Sequence, residues 1–240
     1  MGAKVIIIIP AYNEEQNILG VIEEIKRSCP SFDYIVINDC SDDETERVLL
    51  DNCIPHIAHP INLGIGGAVQ TGYKFAYKNG YDVAIQLDGD GQHDASQVAK
   101  LVRAIKDGAD ISIGSRFINK EGFQSSWIRR LGIKLLSGTV FLCSGKRILD
   151  VTSGFRAVNR LYIERYANAY PQDYPEPEAI VFALVRGAKI VEVPVTMRER
   201  KAGKSSIAAF KSIYYMIKVN LAILLCYFSE KKRRRNNNAD

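Results

Sequence analysis

Short runs of branched aliphatic residues alternate along this chain with stretches whose apolar positions recur at helical spacing. "KVIIIIP" is followed by Ile18, Val21, Ile22 and Ile25, spaced i, i+3, i+4, i+7, and then by "YIVIND". The first pattern predicts a strand and the second an amphipathic helix. Because the strand runs are continuously apolar, they are expected to be covered on both faces, the condition of a largely parallel sheet flanked by helices. Further strands are predicted over Val83–Leu87 and Ile111–Gly114 and in "AKIVEVPVTM", with a helix from about Ala95 to Lys106. Asn13 stands three before Gln16, and Ser41 three before Glu44, the spacing of side chains that cap a helix start. After Arg116 the pattern loosens through "INKEGFQSSWIRRLG" before a helix resumes, and no repeat or linker interrupts residues 1–206.

The last predicted helix, residues 207–228, aligns Ile207, Phe210, Tyr214, Ile217, Leu221, Leu224 and Phe228 on one stripe and leads into "KKRRR" in a basic tail, residues 229–240. An amphipathic helix with a polycationic exit suits a membrane surface. The same stripe also suits docking against the sheet or a second subunit. Lys211, Ser212, Lys218 and Asn220 interrupt it, so a membrane crossing is not expected.

Composition narrows the classes. A chain of 240 residues, 47% apolar, has material for a sizeable core. Of the formal charge of +5, five cations against two acids after Ser229 account for +3, leaving +2 upstream. The body is therefore nearly neutral, which argues against a nucleic-acid binder. Five cysteines, Cys29, Cys40, Cys53, Cys143 and Cys226, show no CxxC pair and no zinc spacing with His56, His59 and His93. They read as reduced structural thiols facing the cytosol. "KVIIIIP" is too short for a signal peptide.

The candidate chemistry begins in "VAIQLDGDGQHDAS", where Asp88, Asp90 and Asp94 follow an apolar strand. Clustered carboxylates repel one another unless a cation sits among them. Asp88, Asp90 and Gln92 alternate along an extended segment and so point one way, offering hard oxygen ligands suited to Mg2+ or Mn2+. An EF-hand loop is excluded, since His93 occupies the position needing Gly and Ala99 the position needing Glu. A solvated acidic turn, with Asp94 capping the next helix, is the simpler alternative.

In an open α/β sheet, ligands bind beyond the carboxyl ends of the strands. Here those ends carry "PAYNEE", "NDCSDD", "HPINLGIGGA" and "LDGDGQH", and none is a GxGxxG turn, so a nicotinamide-binding dehydrogenase is not expected. Taken in order with "IGSRF", "WIRRLG", "DVTSGFRAVNR", "EVPVTMRER" and "GKSS", these segments resemble the family 2 glycosyltransferases of GT-A fold. The likeness is to the branch of dolichol-phosphate mannose synthases and bacterial polyprenyl-phosphate glycosyltransferases, and it spans most of the chain.

The resemblance implies that Pro10, Tyr12, Glu14, Asp39 and Asp42 wall the nucleoside, and that Asp88, Asp90 and Gln92 hold the metal and diphosphate. This chain has Asn38 where the family usually has an acid. Arg116 and Arg130 match positions facing an acceptor phosphate, with Arg129 an alternative to Arg130. "DVTSGFRAV" resembles the segment lining the acceptor side, with Asp150, Ser153, Gly154 and Arg156 as its polar members. Glu178 is implied near the reacting sugar, although "YPEPE" departs from the branch pattern there. Lys204, in "RKAGKSS", is implied in a lid over phosphates.

The expectation is an inverting, metal-dependent glycosyltransferase. It would move a sugar from a nucleotide diphosphate sugar, UDP-linked, to a polyprenyl phosphate such as undecaprenyl phosphate. It would act at the cytosolic membrane face, as a cytoplasmic, peripherally associated protein with a homo-oligomeric or membrane-protein partner. One alternative keeps the donor but uses a hydroxyl acceptor, which needs a base from Glu178, Glu176 or Asp150. Another is a non-catalytic nucleotide-sugar-binding partner of a membrane complex.

Overall fold

The computed structural model describes residues 2–119, 127–198 and 211–237. Seven strands form one sheet: β1 (Val5–Ala11), β2 (Asp33–Asn38), β3 (His56–Ala58), β4 (Val83–Gln86), β5 (Ile111–Ser115), β6 (Arg156–Asn159) and β7 (Ile190–Pro194). Their order is β3-β2-β1-β4-β6-β5-β7. Four of the six pairings are parallel, and β6 runs antiparallel between β4 and β5. The helices are α1 (Ile18–Ser28), α2 (Thr45–Asp51), α3 (Gly64–Lys78), α4 (Val98–Lys106), α5 (Trp127–Ser144), α6 (Arg160–Asn168), α7 (Pro175–Val185) and α8 (Lys211–Asn237).

The continuous apolar run of β1 has the expected cause. All seven of its residues are buried, and alternate side chains enter two separate cores. Ile6 and Ile8 pack on one face with Tyr73 of α3, Tyr162 of α6 and Ile180 of α7. Ile7 and Ile9 pack on the other with Ile22 of α1, Leu49 of α2 and Leu101 of α4. The chain steps outward from β1 to β2 and β3, then returns through α3 on the opposite face to β4, on the other side of β1. That reversal opens a crevice at the carboxyl ends of β1 and β4, the usual ligand position in such sheets.

Two sequence expectations need correcting. Asn13 and Ser41 do not cap helices: α1 begins at Ile18 after Asn17, and α2 at Thr45 after Glu44. Asn13 and Cys40 have φ of 57° and 58°, in the left-handed region, and the side chains of Asn13 and Ser41 instead tie the two loops to each other. The C-terminal helix also divides its labour. Val219 and Ile223 are buried in the core shared with α5 and α7, while Ile217, Leu221, Leu224 and Phe228 of the predicted stripe are exposed. Glu230 anchors the far end through Arg186 at 2.7 Å. The helix thus docks by one face and leaves its apolar stripe outward. Ile207 and Phe210 lie outside the described residues. Among the described residues, no helix is long and apolar enough to cross a membrane.

Candidate active site

The loops after β1 and β2 are laced into one wall. Asn13 N–H donates to Ser41 Oγ at 3.0 Å, and Asn13 Oδ1 accepts from Asp42 N–H at 2.8 Å. Glu14 N–H donates to Thr45 Oγ1, and Glu44 N–H to the Glu15 carboxylate. Tyr12, exposed at the rim, donates its hydroxyl to Asp42 at 2.9 Å, a bond that raises the phenol's pKa. Pro10 is buried at the end of β1, where its carbonyl accepts from Gly89 N–H. Glu14 is buried, and its carboxylate accepts from Asn17.

Asn38 is bonded into this wall through Ser41. Its amide is buried, donating to Glu46 and accepting from Ser41 N–H and Oγ–H, so the substituted position holds the turn. Asp39 lies next to it, with Oδ1 bonded to His59 Nδ1 at 2.7 Å and to Leu63 N–H at 2.9 Å.

The acidic turn splits by role. Asp94 caps a single 3-10 turn through Ser96 N–H at 3.0 Å and pairs with Arg198 at 3.2 Å, which help hold its carboxyl below the usual range against burial. Asp94 is therefore structural. Asp88 accepts from the Gln86 amide at 3.2 Å and donates its own N–H to His93 Nδ1 at 3.1 Å. No lysine or arginine of the described residues pairs with it. Gly154 closes against it so tightly that a Cβ there would meet Asp88 Oδ2 at 3.0 Å and Gln86 Nε2 at 2.9 Å. Asp90 Oδ1 accepts from Gln92 N–H at 3.0 Å, and the Gln92 amide donates to Arg198 O at 3.4 Å, leaving its carbonyl oxygen for another partner.

Among the described residues, no group of three or more His, Cys, Asp or Glu is placed to hold a metal. Two carboxylates on one turn, with no lysine or arginine of the described residues on Asp88 and the His93 Nε2 3.8 Å from its Oδ2, nevertheless fit a hard divalent ion that completes its shell with water and substrate phosphates.

The predicted acceptor side is rearranged. Arg116, buried at the end of β5, places Nε and Nη2 on the two oxygens of Asp150, each at 2.7 Å, and Nη2 also reaches Thr152 Oγ1 at 3.1 Å. Its expected fork on an acceptor phosphate is thus turned onto a buried carboxylate, which also excludes Asp150 as an accessible base. Asp150 is fixed further by Glu192, which accepts from the backbone N–H groups of Leu149 and Asp150. Arg130 is exposed in the first turn of α5. Ser153 is buried with its hydroxyl unpartnered among the described residues. Lys204 and the Arg129 side chain lie outside the described residues.

Of the two acids in "YPEPE", Glu178 has its carboxyl pushed up by burial and then by Asp173, and its carbonyl accepts from Cys226 of α8. Glu176 is the acid within electrostatic reach of Asp88: burial pushes its carboxyl up, and Arg156 opposes that shift. Arg156 is fully buried, its Nε and Nη2 on Ser153 O at 3.2 and 2.5 Å and its Nη1 on Glu176 O at 3.3 Å. Sequence reasoning passed over His59 and named Glu176 only as one of three candidate bases for a hydroxyl acceptor. The signal for Glu176 was its position at the start of a proline-initiated helix, where Pro175 fits the first turn and acids favour the helix dipole.

A mostly parallel α/β sheet with an Asp-x-Asp turn at its switch point defines a GT-A glycosyltransferase fold. The same fold is found in glucosyl-3-phosphoglycerate synthase from Mycobacterium tuberculosis. Its complex with UDP superposes with a TM-score of 0.68 at 18% identity, covering 96% of this chain and 81% of that one. Its complex with Mn2+, UDP and phosphoglyceric acid gives 0.67 at 17% identity, covering 96% and 79%. The chain belongs to glycosyl transferase family 2, which residues 6–167 match, and it is a glycosyltransferase. It is similar to a polyprenol monophosphomannose synthase of Mycolicibacterium smegmatis, 31% identical over 228 residues, 90% of this chain and 85% of the relative. It is also 30% identical over 220 residues to an undecaprenyl-phosphate mannosyltransferase of Micrococcus luteus, covering 85% and 88%.

Proposed function

We propose that the protein transfers a sugar from a UDP-linked donor to a polyprenyl phosphate at the cytosolic membrane surface, with inversion at the anomeric carbon. The observation that carries this reading is the Asp88–Asp90 turn, set beside the Tyr12–Asp39–Asp42 wall at the β1/β4 crevice. Relatives named for polyprenol and undecaprenyl phosphate support the acceptor class.

In this reading the wall holds the nucleoside, and Asp88, Asp90 and the Gln92 carbonyl hold Mg2+ or Mn2+. The bound ion supplies charge neutralisation to the leaving diphosphate. An acceptor phosphate oxygen attacks the anomeric carbon, its new C–O bond forming as the bond to the nucleoside diphosphate breaks. A phosphate monoester has a second pKa of about 6 and needs positioning more than deprotonation. Arg130 and Lys204 take that positioning role, with Ser153 on the acceptor side. Arg116 keeps the Asp150 segment in place. Glu178 borders the reacting sugar from α7.

The exposed apolar residues Ile217, Leu221, Leu224 and Phe228 of α8, with Leu131 and Leu135 of α5, lie against lipid, and the basic exit of α8 favours an anionic leaflet.

One observation favours a second reading with a hydroxyl acceptor. Glu176, its carboxyl raised by burial and within reach of Asp88, has the attributes of a general base. The deciding experiment incubates the protein and Mn2+ with labelled nucleotide sugars and either undecaprenyl phosphate or a free alcohol acceptor. Label in the lipid phosphate supports the proposal. Label only in the alcohol, or no transfer at all, overturns it.

A further inference from the structure

We infer that His59 sets the base specificity of the nucleotide site by removing one oxygen of Asp39 from use, an inference that rests on the reading of Asp39 as a nucleoside contact. The side chains of His59 and Asp39 are only 7% and 5% exposed. His59 follows β3, and its backbone N–H donates to Asn38 O at 2.9 Å, which continues the β2/β3 pairing and fixes where the ring leaves the chain. An ionised carboxylate only accepts, so Nδ1 donates to Asp39 Oδ1 at 2.7 Å. Nε2 lies 2.9 Å from Thr71 Oγ1 of α3, whose one hydroxyl proton is divided between Nε2 and Gly67 O at 3.0 Å. Both ring nitrogens are therefore held, and the imidazole has one orientation.

Oδ1 also takes Leu63 N–H, the residue before α3, at 2.9 Å. Asn62 Nδ2 holds the Asp39 carbonyl at 3.1 Å, so the residue is gripped at both ends. Two donors occupy Oδ1, and Oδ2 takes no hydrogen bond from the described residues.

A carboxylate with two free oxygens matches the adjacent N1–H and N2–H donors of guanine. One with a single free oxygen matches the lone N3–H of uracil, which is flanked by carbonyls that would repel a second oxygen. Guanine on such a carboxylate leaves a donor without its partner in a buried place, and that is how hydrogen-bonding sites discriminate most strongly. His59 and Leu63 thus convert a two-pronged acceptor into a one-pronged one. Asp39 without His59 keeps only Leu63 N–H on Oδ1, which leaves one acceptor site of that oxygen for a second donor of the base.

The test is calorimetric titration of the full chain with UDP and with GDP in the presence of Mn2+, for wild type, His59→Ala, His59→Asn and Thr71→Val. Wild type is expected to favour UDP by at least about tenfold, and His59→Ala to gain GDP affinity relative to UDP by about tenfold, so that the ratio collapses. His59→Asn, whose amide still donates toward Oδ1, restores the preference. Thr71→Val, which removes only the outer anchor, shifts the ratio in the same direction by less and serves if His59→Ala fails to fold. Equal losses for both nucleotides mark a merely structural histidine and overturn the inference, as does a wild-type preference for GDP. If wild type binds neither nucleotide, the nucleoside reading of Asp39 falls and takes this inference with it. UDP binding with an unchanged ratio in the variants overturns the inference alone.

Discussion

Arg116 holds Asp150 through two parallel hydrogen bonds, Nε to Oδ2 and Nη2 to Oδ1, both 2.7 Å, and the carboxylate is fully buried. Removing the cation would leave an uncompensated charge in the interior. Arg116→Ala is expected to cost about 3–5 kcal/mol of stability. Exposed Arg130 has no such burden: Arg130→Ala should change stability by no more than about 0.5 kcal/mol. Its effect belongs to the acceptor, with KM for lipid phosphate rising by about one to two decades for a lost charge-assisted contact. Urea unfolding and acceptor kinetics on both variants check the split, and an unchanged acceptor KM for Arg130→Ala would remove that residue from the acceptor site.

Asp90→Asn removes charge from the proposed ion site at almost constant volume. Its UDP affinity is expected to lose its dependence on Mn2+ while the unfolding curve stays that of wild type. Gly154→Ala should act on the same site from behind, because the added Cβ would meet Asp88 Oδ2 at 3.0 Å and Gln86 Nε2 at 2.9 Å. Titration of UDP with and without Mn2+ reads both variants, and equal metal enhancement in Asp90→Asn would sink the ion site.

Glu178 gives a pH dependence of defined sign. Burial and Asp173 raise its carboxyl above the ordinary value of 4.5. The folded state then holds the proton more tightly than the unfolded chain. The associated stability is complete below the unfolded value and is lost as pH rises through the folded one. Glu178→Gln does not suffer that loss. Its urea midpoint, compared with wild type, should rise as pH increases from the ordinary value of 4.5 through the raised one. A difference that is flat or of opposite sign would contradict the burial of this acid.

The outer stripe of α8 is open to a direct test, since Leu221 and Phe228 are 55% and 63% exposed while Val219 and Ile223 hold the helix to the fold. Leu221→Ser with Phe228→Ser is expected to leave thermal unfolding unchanged and to weaken flotation with anionic vesicles. Deleting residues 231–240, which spares the Glu230 anchor, or adding high salt should weaken it too, by removing or screening the basic charge. Wild-type protein that fails to float would remove this stripe as a lipid contact.

Local pattern determined a good deal. The unbroken apolarity of "VIIIIPA" specified a strand covered on both faces, because only a two-sided core removes the cost of exposing every side chain, and β1 is such a strand. The strand ends that carry the Asp-x-Asp segment and the alignment of Ile217, Leu221, Leu224 and Phe228 on one side of a helix were likewise legible, but the turn at Asp90 and the outward face of that stripe were not. The partners of charged and polar groups were not legible. Whether Arg116 met a phosphate or Asp150 depended on a residue 34 positions away. Whether Asn13 and Ser41 capped their own helices or laced two loops depended on the backbone entering the left-handed region at Asn13 and Cys40. That Glu176 rather than Glu178 lies within electrostatic reach of Asp88 depended on how α7 sits on the sheet, and the contact of His59 with Asp39 on where β3 sets its ring. Periodic burial of apolar surface is a local, additive property of the chain. Hydrogen bonds and ion pairs are short-ranged and directional, so their partners are fixed only once tertiary packing brings distant segments within about 3 Å.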